Sequence, residues 1–261
     1  MLVLAVNINK RIRHGFQCCK RNYFTVQSAS AFSRSGYLTH HNKRIIFIFD
    51  AERGKSEYSQ SVSNALRLLG CFVEREERGI SELSRELGLS KSAVARIVAS
   101  LECGKFLLKN AETGKYRLGV GFLLYGSLVR ERSELSRVLA PALSQLAEEF
   151  QATAHLAVLI GKELTIVNKV SAGSFVYMSS RVGGTLPMHA SATGKCVLAW
   201  LPAEQRAELL EECDFKRYTD STITDKAALE SELSVTRVRG YALDDGETHD
   251  GLYCIGCPVL D

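Results

Sequence analysis

From Ser61 to Gly119 the apolar residues change period. In SVSNALRLLGCFVE, Val62, Ala65, Leu66, Leu69 and Phe72 recur at helical spacing, with a serine cap in front. SELSRELG (81–88) predicts a second, short helix: Leu83 and Leu87 inward, Ser81, Arg85 and Glu86 outward, Gly88 ending it. LSKSAVARIVASLECG (89–104) predicts a third, capped by Ser90, with Val94, Ile97, Val98 and Leu101 as its buried stripe and Gly104 as its stop. KFLLKNAETGKYRLG (105–119) then gives two short strands around a polar turn at 110–114. Helix, helix, tight turn, helix and hairpin describe a winged helix-turn-helix. The alternative is a small helical packing unit with an incidental hairpin.

Beyond the hairpin, residues 120–150 read as helix, brief polar break and helix, a helical connector to a second domain. Residues 152–170 alternate as two strands around Gly161 and Lys162, and FVYMSS (175–180) predicts a third. Helices come next at about 191–201, 203–213 and 226–239, then strands in GYALDDGE (240–247) and LYCIGCPVL (252–260). This order implies an α+β sensor domain with a mostly antiparallel sheet.

Composition changes this picture mainly at the N-terminus. Residues 1–60 hold ten Lys/Arg against three Asp/Glu, a net of +7, while the other 201 hold 23 against 26, a net of −3. The first 49 residues contain no acid and resemble a transit peptide in composition. Residues 1–57 are therefore expected to be a disordered basic extension, or upstream sequence from a misassigned start. RIIFIF (44–49) is a strand candidate with no partner nearby. Eight cysteines show no framework spacing and there is no convincing signal peptide, which suits reduced thiols and a cytoplasmic location. Cys254 and Cys257 form a lone CxxC, better read as small buried strand residues than as a zinc or redox pair. No apolar run approaches the roughly 20 residues of a membrane-spanning helix.

PMHASATGKC (187–196) carries the Gly-Lys of a phosphate-binding loop ahead of an apolar helix. A nucleotide loop needs glycine five positions before Gly194, where His189 stands, and Ser or Thr after Lys195, where Cys196 stands. What remains is a helix start, with Ser191 as cap, that can hold another anion. His189 reads as a packed, hydrogen-bonded side chain rather than a metal ligand, and Lys195 as a surface or helix-end residue. No nucleophile and base stand at recognisable spacing, so an enzyme acting on a small acid through Lys195, His189 or Asp244 is the weaker reading. A sensor or oligomerisation module without DNA binding is a further alternative.

SVSNALRLL, LSRELGLSKSAVARIVASL, GKYRLG, LPMHASATGK and RGYALDDGE…GLYCIGCPV, in collinear order over about residues 58–261, resemble the signature blocks of IclR-type bacterial transcriptional regulators. The resemblance implies a winged helix-turn-helix (58–119), a linker helix (120–134) and a GAF-like effector-binding domain (135–261). It implies a double-stranded DNA operator, a small organic acid effector, a homodimer or homotetramer, and repression or activation of a catabolic operon, with no cofactor, metal or membrane. On the third helix, Ser90, Lys91, Ser92 and Arg96 lie on the exposed face, Lys91 suited to phosphate and Arg96 to a base edge. The family commonly carries a larger aromatic or His where Ala95 stands, so one base contact is removed here. Lys91, Arg96, Lys105, Lys109, Lys115 and Arg117 oppose only Glu102 and Glu112, a local +4. Lys109, Lys115 and Arg117 belong to the wing and suit phosphate.

For the effector, the resemblance implies the backbone amides of Ala192 and Thr193, an apolar wall of Phe175 and Met178, and Asp244, Leu252 and Cys254. The positive end of a helix would hold a carboxylate while Asp244 accepts from a hydroxyl or protonated group. Alternatively Phe175, Met178, Leu252 and Cys254 are core and Asp244 is a solvated loop acid. The family continues past the block ending at Asp261 with a Ser-x-Ser-Gly-Pro-like strand and a final helix. The expectation is an effector domain incomplete at its C-terminus, lacking one pocket wall, destabilised and impaired in its response.

Overall fold

The computed structural model describes residues 2–8, 58–73, 75–172 and 180–259, and the chain divides into two units, residues 46–134 and residues 1–45 with 135–261. Its first strand, β1 (Leu2–Ile8), belongs to the larger unit.

The smaller unit is built from α1 (Gln60–Gly70), α2 (Ile80–Leu87), α3 (Lys91–Cys103), a hairpin of β2 (Leu107–Lys109) and β3 (Tyr116–Leu118), and α4 (Gly121–Arg132). Glu82 accepts from the Gly79 amide at the start of α2, and Gly88, at φ 67°, ends it. Three residues later α3 begins, its first turn satisfied by the Ser90 hydroxyl accepting from the Ala93 amide. Leu68, Phe72, Leu83, Leu87, Val94, Val98, Leu107 and Tyr116 form one core. Arg78 pairs with Tyr116 through both backbone bonds, adding a bridge to the hairpin. The elements match the expected winged helix-turn-helix, but α1 is turned differently. It starts at Gln60, its N-cap Ser59 makes no side-chain cap bond, and Leu68 is its buried residue, whereas Val62 and Leu66 are exposed.

The larger unit carries α5 (Glu134–Phe150), β4 (Thr153–Ile160), β5 (Glu163–Ser171), β6 (Thr185–Leu186), α6 (Ala192–Trp200), α7 (Ala203–Glu211), α8 (Lys226–Arg239), β7 (Ala242–Asp245) and β8 (Tyr253–Val259). Its sheet has the order β6-β5-β4-β1-β8-β7, and every pairing is antiparallel. Leu139, Leu143 and Ala147 of α5 pack on Ala154, Leu156 and Ile255. Cys196 and Val197 of α6 pack with Val3, Ala157, Leu164 and Ala242, and α6 also packs with α8 through Leu198, Leu229 and Leu233. The α+β reading therefore holds, with β6 added.

One expectation needs correction. The N-terminal extension was expected to be disordered over residues 1–57, yet Leu2–Ile8 is an inner strand of the sheet, and Val3 is fully buried. β1 pairs with β4 from Leu2 to Asn7 and with β8 from Leu2 to Ile8. β1 thus occupies the position between β4 and β8 in the sheet. The strand candidates at 44–49 and 175–180 fall wholly and largely outside the described residues.

Candidate nucleic-acid interface and ligand site

In the smaller unit, Lys91, Ser92 and Arg96 are exposed on α3, as are Lys109 and Arg117 on the hairpin. Ala95 is half-buried. Ser90 is exposed, but its hydroxyl is engaged by the Ala93 amide and lies 3.1 Å from that of Ser92, so it sets the helix start. Lys115 is turned toward Glu82 and pairs with it, Nζ to Oε1 3.3 Å. The wing turn is rigidly made: Asn110 Oδ1 accepts from the amides of Glu112 and Thr113, and Asn110 Nδ2 and the Thr113 hydroxyl both donate to Glu77. Those donors, Asn110 first, hold the Glu77 carboxyl below its usual range. The arrangement presents a helix start and a wing carrying four exposed cations from a fixed frame.

In the larger unit, the register of the sheet aligns one row of residues across five strands. Ser171 lies opposite Thr153, Thr153 opposite Asn7, Asn7 opposite Cys254, and Cys254 opposite Asp244. The Thr153 and Ser171 hydroxyls are 2.9 Å apart. The next row brings Lys169 opposite His155, whose Nε2 lies 3.1 Å from the Thr193 hydroxyl. Ala192 and Thr193 are buried at the N-terminus of α6, and Ser191 caps it by accepting from the Gly194 amide at 3.0 Å. Glycine is needed at Gly256 for this approach, since a Cβ there would stand 2.6 Å from the Ala192 carbonyl oxygen. His155 and Gly256 of the sheet therefore meet the start of α6 at Thr193 and Ala192, and Asp244 and Cys254 lie opposite each other in the adjoining row. Leu252 sits half-buried beside them in the turn before β8. Phe175 and Met178 lie outside the described residues.

Asp244 is not a solvated loop acid. It is 2% exposed, and its Oδ1 accepts from the amides of Glu247 and Thr248 while Oδ2 accepts from the Thr248 hydroxyl. It thereby shapes the turn that carries Glu247. Burial raises its carboxyl, opposed by those hydrogen bonds. Lys195 is a second correction: it is 1% exposed, inside the core, and donates to Glu247 Oε1. The first turn of α6 is itself covered, so a lysine there points into the protein rather than to solvent. Burial raises the Glu247 carboxyl to about 7, against the pull of Lys195. From outside, the Thr219 and Thr222 hydroxyls donate to the carbonyls of Gly246 and Glu247. His189 is buried against the rings of Phe215 and Tyr218, with Nε2 2.9 Å from the Lys216 carbonyl oxygen. Cys254 is a buried strand thiol that burial raises strongly.

The residues that sequence reasoning missed are Thr153, His155, Ser171 and Glu247. His155 Nδ1 and Glu247 Oε2 have no hydrogen-bond partner among the described residues. Burial, with Lys169 nearby, pushes the His155 imidazole down to about 4. Its folded value lies below its unfolded one, so the unfolded chain binds the extra proton between about pH 6.5 and 4. This contribution is complete above pH 6.5 and lost as pH falls through that window, by up to about 3 kcal/mol. A His155→Gln variant should show a flatter loss of stability between pH 7 and 4 than the parent in chemical denaturation. Parallel curves would mean that His155 takes up its proton without unfolding the unit.

Residues 61–110 match the IclR helix-turn-helix domain and residues 128–261 match the family model described as bacterial transcriptional regulator IclR C-terminal. The HTH-type transcriptional regulator XynR of Escherichia coli (strain K12) is 35% identical over 201 residues, covering 77% of this chain and 80% of that protein. The structure of the Thermotoga maritima IclR aligns with a TM-score of 0.62 at 29% identity, covering 77% of this chain and 81% of that one. An IclR homolog from Microbacterium hydrocarbonoxydans, solved in complex with 4-hydroxybenzoate, aligns with a TM-score of 0.61 at 25% identity over 77% of this chain and 90% of its own.

Proposed function

Because the chain belongs to the IclR family of bacterial transcriptional regulators, we propose that α3 and the wing bind a double-stranded operator and that a small organic acid at the start of α6 controls this binding. The observation that carries the DNA half is the exposure of Lys91, Ser92 and Arg96 on a capped helix beside a braced basic wing. In this assignment Lys91, Lys109 and Arg117 contact phosphates and Arg96 a base edge, with Lys115 contributing only after leaving Glu82. An Arg96→Ala variant should bind operator about 1–3 kcal/mol more weakly, roughly 5- to 150-fold, with non-specific affinity nearly unchanged. Equal operator affinity at fixed salt in a mobility-shift assay would remove Arg96 from base recognition.

The effector half rests on the meeting of the α6 N-terminus with His155, Thr193, Cys254 and Asp244. A helix start favours a carboxylate, and the unpartnered His155 Nδ1 offers a further polar contact. The Microbacterium homolog holds an aromatic hydroxy acid, and we assign this chain a ligand of the same class, a small carboxylate. The side chains of the enzymatic alternative favour binding over turnover: Lys195 is ion-paired, Asp244 braces a turn, and His189 bonds a carbonyl. We assign no catalytic step.

Exposed apolar side chains on the smaller unit, Val62 and Leu66 of α1 and Leu123, Leu124, Tyr125 and Val129 of α4, support pairing of two DNA-binding units in a homodimer, with a tetramer as the larger assembly. Among the described residues no helix is long and apolar enough to cross a membrane. A cytoplasmic regulator of a catabolic operon fits these features.

A further inference from the structure

The turn before α6 and the loop after α7 bring together a side-chain group that the regulator reading does not use. His189, Cys213 and Asp214 each offer one potential ligand atom, and these atoms all lie within 4.8 Å of one another. We infer that these three residues bind one divalent transition-metal ion, with Zn2+ the best match to a nitrogen, sulfur and oxygen donor set. The reading is independent of the effector assignment.

The details fit a ligand set closely. Cys213 Sγ and His189 Nδ1 are 3.5 Å apart. Two donors on one tetrahedral zinc, at about 2.3 Å for sulfur and about 2.05 Å for nitrogen, stand about 3.6 Å from each other. His189 Nε2 meets the Lys216 carbonyl oxygen at 2.9 Å, where it can only donate. That bond fixes the tautomer with Nδ1 as the lone-pair nitrogen facing Cys213, the outer-shell arrangement that orients metal-binding histidines. Stacking on Tyr218 and contact with Phe215 hold the ring plane.

On the other side, the backbone turns sharply after Cys213 and Asp214. Phe215 stands there at φ 46°, left-handed backbone for a residue with a side chain. Asp214 Oδ1 accepts from the Lys216 amide at 3.1 Å. Its side chain is exposed, so a small rotation brings its oxygen to the roughly 3.4–3.6 Å separations of a tetrahedral site and leaves an entry path. Three protein ligands leave a fourth position for water or another donor. A bound ion would tie the turn before α6 to the 213–216 loop. Three residues further on, Thr219 and Thr222 grip the turn bearing Glu247.

The test is a titration of the full-length, metal-free protein with Zn2+ alone, competed against a chromophoric chelator, and a parallel titration with Co2+ to read the thiolate charge-transfer band. One Zn2+ per chain and a Co2+–thiolate band are expected. Cys213→Ser should abolish the band, and both Cys213→Ser and Asp214→Asn should weaken Zn2+ binding about tenfold or more. Cys213 is only half-buried and Asp214 is exposed, so both variants should melt like the metal-free parent. No Zn2+ uptake at micromolar concentration would overturn the inference. So would full uptake by both variants, which would leave Cys213 and His189 with a thiol–imidazole hydrogen bond only.

Discussion

A chain lacking its first nine residues is expected to lose the cooperative unfolding transition of the larger unit. β1 is hydrogen-bonded along both edges, to β4 and to β8, so its removal splits the six-stranded sheet into two parts. The backbone groups of β4 and β8 that face it would lose their partners, at about 1–3 kcal/mol for each group that stays buried. Val3, fully buried among Ala157, Val197 and Ala242, would leave a gap between sheet and α6. The sum is comparable with the whole stability of an ordinary domain, about 5–15 kcal/mol. Circular dichroism melting should show the transition missing or strongly depressed, and a synthetic peptide of residues 1–10 should restore it in trans. A Val3→Asp variant, which buries an unpaired carboxylate, should move in the same direction. An unchanged melting transition in the truncated chain would show that β1 contributes nothing to the sheet.

Replacing Lys195 by Met should cost about 3–5 kcal/mol, because the buried Glu247 loses its ion partner and Oε2 is already unpartnered. For a unit of this size the melting temperature should fall by roughly 2–4 °C per kcal/mol. The loss should depend on pH in a definite direction. Burial already raises the Glu247 carboxyl to about 7, and without the lysine the neutral acid is favoured further. A raised carboxyl contributes stability below its unfolded value that is lost as pH rises through the folded one. The variant should therefore be closer to the parent at pH 6 than at pH 8.5. A Lys195→Met, Glu247→Leu double variant should recover most of the loss, since two apolar groups replace the pair. If the single variant melts like the parent at pH 8.5, the pair is not a structural link.

These two effects arise where local sequence carried the least information. α2 and α3 were legible because their stops and caps are local: Gly88 ends one helix and Ser90 caps the next. The same holds for the hairpin, whose turn is set by Asn110 bonding its own neighbours. In α1, by contrast, apolar residues lie on more than one face, and spacing alone chose Val62 and Leu66 over Leu68. β1 was illegible because a short apolar run resembles any buried segment, and both partners lie more than 140 residues away. Lys195 was misplaced for a similar reason, its partner Glu247 being 52 residues on. At the ligand site, the start of α6 was readable from Ser191. The row from Ser171 to Asp244 was not, because strand register brings those residues together across the sheet. Asp244 lay between: an acid ahead of Gly246 signals a turn, but burial of that turn is set by Thr219 and Thr222.

Recognition of a particular DNA sequence, altered by a small carboxylate, is the property on which the proposed function depends. Fluorescence anisotropy at fixed physiological salt, with DNA from upstream of the protein's own gene and a scrambled duplex of equal length, measures it directly. The titration is repeated with 4-hydroxybenzoate and with glyoxylate as carboxylate probes. Binding to the upstream DNA should be at least about 10³-fold tighter than to the scrambled duplex, with at least one acid shifting the upstream affinity alone. Equal affinity for both duplexes, unmoved by either acid, would contradict the proposal.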